Sequence, residues 1–153
     1  MRLLILFFAA LFVTPALPAL AKAPGLVTIE SKSSVKDTGD KLVKALEEKG
    51  IKVAARIDHA AGAKAAGLDL PPTEVIMFGN PKLGTPLMQA ERTAGLDLPM
   101  KVLIWQDAKG KVWVGYLSPA QLKKRYAIKG NDEVLKTMGG ALDAFAKAAT
   151  APN

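Results

Sequence analysis

Phe78-Gly79-Asn80-Pro81-Lys82-Leu83-Gly84-Thr85-Pro86-Leu87-Met88-Gln89 is the stretch from which the architecture of this chain unfolds. It comes after the apolar run Val75 to Phe78 and crowds glycine, proline and asparagine into a few positions. Gly79 reads as a residue that takes backbone angles closed to others, and Asn80 before Pro81 reads as a helix start. Gly84-Thr85-Pro86 repeats that pattern, with Thr85 a second candidate N-cap and Pro86 a second candidate first helical residue. A strand therefore ends here, turns, and feeds a helix whose first amides point back at the turn. Such a place can hold a ligand, or it can be a tight connection.

Upstream, Gly25 to Lys32 alternates as a short half-buried strand. Ser34, with Asp37 three residues on, opens a helix to Lys49 whose apolar stripe is Val35, Gly39, Leu42, Val43 and Leu46. Gly50 closes it in the left-handed conformation. Ile51 to Asp58 alternates, with Ile51, Val53, Ala55 and Ile57 on one face and His59 of the same parity if the strand reaches it. Asp58 is placed to cap a helix over Ala60 to Ala66 that stops at Gly67.

The hexapeptide Ala66-Gly67-Leu68-Asp69-Leu70-Pro71 recurs as Ala94-Gly95-Leu96-Asp97-Leu98-Pro99. Each copy reads as a helix-to-strand connector with Gly as C-cap, leading to strands Thr73–Phe78 and Met100–Gln106. Lys101–Gln106 and Val112–Leu117 flank Asp107-Ala108-Lys109-Gly110 as a hairpin. Ser118-Pro119-Ala120-Gln121 reads as a capping box opening a short helix to about Tyr126. Asn131 caps the last helix, whose stripe is Val134, Leu135, Met138, Leu142, Phe145 and Ala149. Gly139-Gly140 within it points to close approach of another backbone or to a kink. Five strands, two substantial helices and several short ones predict an α+β two-layer sandwich, a mostly antiparallel sheet with helices on one face.

The first residues bound where the protein works. Arg2, the apolar run Leu3 to Val13 and the small residues Ala19-Leu20-Ala21 have the order of a secretory signal peptide, with cleavage expected after Ala21. The apolar run is shorter than the roughly 20 residues a bilayer span needs, so a periplasmic or secreted protein without stable membrane insertion is expected. Lys22 to Asn153 has the length of a single domain. The chain has no cysteine, which removes thiol nucleophiles, thiolate zinc sites and thioredoxin-type redox chemistry. Loss of Arg2 takes the net charge from +7 to +6. The basic residues are dispersed, with one cluster at Lys123-Lys124-Arg125, and lack the aromatic interleaving of a nucleic-acid binder.

In Ile57-Asp58-His59-Ala60, Phe78-Gly79-Asn80-Pro81-Lys82, Gly84-Thr85-Pro86-Leu87-Met88 and Leu96-Asp97-Leu98-Pro99, the chain resembles the domain-of-unknown-function 302 family, over about Leu26 to Phe145. The resemblance implies a compact α+β fold similar to the TATA-binding-protein-like two-layer sandwich, and a homodimer. It implies no reaction.

Catalytic signatures are missing: no G-x-S-x-G elbow, P-loop, dinucleotide fingerprint or paired carboxylates occur, which points away from an enzyme. The ligand-binding candidates are His59, Phe78, Asn80, Lys82, Gly84, Thr85 and Met88. The first helical amides after Asn80, with Lys82 adding charge, could bind a small anion. His59 could instead bond a nearby backbone group and fix the strand–helix corner. For a soft metal such as Cu(I), the candidates are His59, Met77 and Met88, with Met100 and Met138 as further thioethers. Three readings result: an exported, homodimeric small-ligand-binding module, a metal-handling protein of copper type, or a structural interaction domain.

Overall fold

The computed structural model describes residues 23–152; the signal-peptide features, from Arg2 to Ala21, lie outside the described residues. The elements in chain order are β1 (Leu26–Ser31), α1 (Val35–Glu48), β2 (Val53–Asp58), α2 (His59–Ala65), β3 (Thr73–Phe78), α3 (Pro81–Ala90), β4 (Met100–Gln106), β5 (Val112–Leu117), α4 (Pro119–Arg125) and α5 (Asp132–Thr150), with a short 3-10 helix at Arg92–Leu96. The strands form one open sheet in the order β1-β5-β4-β3-β2, every neighbouring pair antiparallel. This is the α+β arrangement expected, with the sheet wholly rather than mostly antiparallel.

Helices α1 and α5 pack on each other and on the sheet. Period-2 alternation aims Ile76 and Phe78 of β3, Val102 and Ile104 of β4, and Val112, Val114 and Tyr116 of β5 into this layer, where all are buried. From above, Leu42 and Leu46 of α1 and Leu142 and Phe145 of α5 complete the core. Phe145 meets Phe78 edge-on, ring centroids 5.8 Å apart.

Local chemistry explains most boundaries. Ser34 accepts from the Asp37 N–H and donates to its carboxylate, closing the reciprocal cap of α1. Gly50, at φ +66°, ends that helix as expected. The Asp58 carboxylate accepts from Ala61 N–H at 2.9 Å to cap α2. In the hairpin turn one Asp107 oxygen accepts from the Lys109 and Lys111 amides and the other from the Trp113 indole N–H.

Several expectations are corrected. Strand β2 carries a bulge between Val53 and Ala55, so its alternation breaks. Val53 pairs with Phe78 on the helix side, whereas Ala55 and Ile57 pair with Met77 and Val75 on the opposite face. Arg56 thereby turns to the helix side, where it bonds the buried carboxylate of Glu74 and also Asp40 of α1. Lys36 and Arg56 hold the Asp40 carboxyl below the usual carboxylate range.

Gly84-Thr85-Pro86 does not start a second helix. α3 runs unbroken from the Asn80 cap, and Pro86 lies inside it, unable to offer an N–H to the Lys82 carbonyl. Gly79 keeps ordinary backbone angles; its constraint is space, since a Cβ there would stand 3.2 Å from Pro99 Cβ. Of the duplicated hexapeptides only the first carries a left-handed glycine, Gly67 at φ +74°. Gly95 lies within the 3-10 helix, with Met88 Sδ 3.3 Å from where its Cβ would be.

At two N-caps the side chain makes no cap bond. Ser118 holds the Gln121 amide through its carbonyl, and the Gln121 side chain lies against Gly25 instead. Asn131, left-handed at φ 60°, starts α5 through its carbonyl alone. α5 runs through Gly139-Gly140 without interruption and no other backbone comes close: a Cβ at Gly139 would meet only the Pro119 ring, at 3.8 Å, and nothing lies within 4 Å of one at Gly140.

Candidate functional site

A cavity of about 480 Å³ opens where β3 ends and α3 begins. Two helical stripes face each other across it. Pro81, Gly84, Thr85 and Met88 of α3 have i, i+3, i+4, i+7 spacing, and so do Met138, Ala141, Leu142 and Phe145 of α5. Phe78 and Gly79 from the end of β3, and Leu98, Pro99 and Met100 from the approach to β4, form the base. Ile51, Lys52 and the bulged Ala54 form the remaining wall. The volume lies within the range of about 300–1,000 Å³ usual for small-molecule sites, and the lining is overwhelmingly apolar.

Of the ligand-binding candidates, Phe78, Asn80, Gly84, Thr85 and Met88 are brought together in this lining. Lys82, on the exposed side of α3, and His59 are not among the lining residues. His59 opens α2 at the far end of β3, and among the described residues no hydrogen bond holds its ring. It stands at the strand–helix corner, but the bond that fixes the corner is that of Asp58.

The three metal candidates are separated. Met77 pairs with Ala55 and Lys101 on the face away from α1 and α5, His59 comes after the Asp58–Glu74 pair about 10 Å along β3, and Met88 lines the cavity. Met88 is accompanied there by Met100 and Met138. The amides expected to bind an anion are already engaged. Pro81 has none, Lys82 N–H bonds Asn80 Oδ1 at 2.9 Å, and the Leu83 and Gly84 N–H groups bond the Asn80 carbonyl.

The rim is where polar groups concentrate. Lys52, Asn80 and Thr85 are exposed at the mouth, and Lys52 is the one ionisable side chain in the lining. Sequence reasoning missed Lys52 and read the α5 stripe as core, singling out only Met138 in it, as a thioether. Lys52 looks like any outward strand residue, and Met138, Leu142 and Phe145 look like any core stripe; only the packing of α5 over α3 reveals their role. In the basic cluster, Lys123 pairs with Asp132 and Arg125 with Asp97, so two of its three charges are tied to the fold.

Comparisons with known proteins agree with this fold. A crystal structure of an uncharacterised conserved DUF302 protein from Bacillus stearothermophilus superposes with a TM-score of 0.74 over 83% of this chain and 99% of that one, at 20% identity. Among curated proteins, "Fluoride-specific ion channel FluC 1" of Brucella suis is 50% identical over 115 residues, and "Fluoride-specific ion channel FluC 2" of Brucella melitensis matches equally. The match covers 74% of this chain but only 45% and 43% of those relatives, so the chain spans less than half of their length. The family model described as "Domain of unknown function DUF302" matches residues 27–145, and the chain belongs to that family.

Proposed function

We propose that this chain is an exported, non-enzymatic binding module that takes up a small, largely apolar molecule in the cavity between α3 and α5, and that it acts as a homodimer. The observation that carries the reading is the cavity itself: about 480 Å³ walled by two facing apolar helical stripes. A bare hydrated anion is a poor fit, because moving charge onto apolar walls without partners is costly. The test uses the neutral fluorophore N-phenyl-naphthylamine and a Gly84→Leu variant. A Cβ at Gly84 has room, with Leu98 Cδ1 at 3.8 Å, so a leucine there can be built from α3 and intrudes on the cavity. Saturable binding at one probe per chain, lost in Gly84→Leu, is expected. Absent binding, or binding unchanged in that variant, removes the reading.

Support for the dimer comes from the sheet face turned away from α1 and α5. Ile57, Val75 and Leu103 form one row across β2, β3 and β4, and Ile57 is 44% exposed. An apolar row of this kind is commonly covered by a partner.

A second reading rests on the Brucella relatives. In each, the part like this chain shares a polypeptide with more than its own length of further sequence, under the name of a fluoride-specific ion channel. Among the described residues here no helix is long and apolar enough to cross a membrane. On that reading the domain serves as the extramembrane companion of such a channel. Removing this protein from its host should then raise sensitivity to fluoride, and unchanged tolerance would dismiss the link.

A further inference from the structure

We infer that the molecule held in the cavity is an amphiphile with one flexible alkyl chain and a single carboxylate head, the chemistry of a fatty acid. The inference rests on the binding reading above and adds the class of ligand. Its first support is the distribution of charge. No lining residue bears a carboxylate, and Lys52, exposed at the mouth, has no ion pair among the described residues. A ligand with its body between α3 and α5 thus meets one unneutralised positive charge where it emerges into water.

The second support is the hydrogen-bonding sense of the rim. Asn80 spends its carbonyl oxygen on the Lys82 amide, which leaves its NH2 group as the part available to a ligand. Lys52 can only donate, and the Thr85 hydroxyl can donate. Three donors around one opening suit a head that only accepts, as an ionised carboxylate does. The body of the cavity gives the third support. Met88, Met100 and Met138 contribute unbranched, adaptable walls, which accommodate a mobile chain better than a rigid ring system demands. Keeping the charge at the mouth also avoids the cost of desolvating it among apolar side chains.

The experiment displaces bound N-phenyl-naphthylamine with three amphiphiles that share one tail: dodecanoate and dodecyltrimethylammonium below their micellar concentrations, and dodecanol below its solubility limit. An exposed ion pair favours the anion over the neutral head by about three-fold and over the cation by about ten-fold, and the preference shrinks in high salt. Lys52→Glu should reverse the order while leaving the melting temperature unchanged, because Lys52 is exposed and makes no ion pair among the described residues. Gly84→Leu should lose all three ligands. Equal affinity for the three heads, unaffected by Lys52→Glu, would overturn the carboxylate while the cavity reading stands. Probe binding that no alkyl amphiphile displaces would overturn the alkyl chain as well. Failure of the probe itself to bind would instead remove the cavity reading on which this rests.

Discussion

A hydrogen atom at Gly39 is what lets α1 lie against the sheet. A Cβ there would stand 2.7 Å from Glu74 Oε2 and 2.9 Å from Arg56 Nη2. Glu74 is 6% exposed and bonded by Arg56, so its carboxylate has little freedom to move aside. Gly39→Ala gains about 1 kcal/mol of helix propensity. Displacing a buried ion pair costs about 3–5 kcal/mol, reduced here because the Arg56 side chain is 35% exposed. A net loss of about 1–2 kcal/mol is expected in urea unfolding, and a gain would show that Glu74 swings clear. Asp107 makes a second residue-scale prediction. The Trp113 indole N–H, then the Lys111 and Lys109 amides, hold its carboxyl below the ordinary aspartate value of 3.8. A depressed carboxyl stabilises the fold above the unfolded-state value, and that contribution fades as pH falls from 3.8 through the lower folded one. Asp107→Asn should therefore flatten this part of the acid limb of the stability profile, with tryptophan fluorescence as the readout. An unaltered limb would argue that the turn does not depend on the charge.

Among the elements, α5 pairs a regular apolar stripe with an avoidable weakness. Gly140 is exposed, mid-helix, and has open space where a Cβ would go. Gly140→Ala should stabilise the protein by about 0.5–1 kcal/mol, seen as a raised melting temperature, without changing ligand uptake. A fall in stability would mean that Gly140 faces something beyond the described residues. The elements also show how far the sequence could be read. Ser34, Gly50 and Asp58 announce boundaries because their cap bonds are local, within a few residues. So does the hairpin, through Asp107 and Gly110. Pro86 misled because a proline a few positions beyond a cap has the same local signature as a new start. The Val53–Ala55 bulge was invisible because it answers to Phe78 and Met77 on another strand. For the same reason the α3 half of the cavity was legible in Asn80, Gly84, Thr85 and Met88, while its α5 half and Lys52 were not. Their meaning depends on which helix faces which.

For the whole molecule, two apolar features compete for partners: the cavity and the row Ile57–Val75–Leu103. The row lies on the opposite side of the sheet from the buried layer of α1 and α5, so a dimer formed through it leaves the site between α3 and α5 unobstructed. Ile57→Asp puts a charge into that row and should convert a dimer to a monomer in sedimentation velocity, with probe binding per chain unchanged. A wild-type chain that stays monomeric as concentration rises would end the dimer reading. The bulge in β2 bears on how such molecules can meet at all. β2 is an outer strand of the sheet, and an outer strand is a ready template for a neighbour's backbone. At Ala54, one residue into β2, the chain steps out of register, so the outward row of N–H and C=O groups is interrupted near its start. Two copies brought edge to edge through β2 find the regular ladder cut to residues 55–58, which hinders growth of the sheet from molecule to molecule, the first step towards a fibril, at this border.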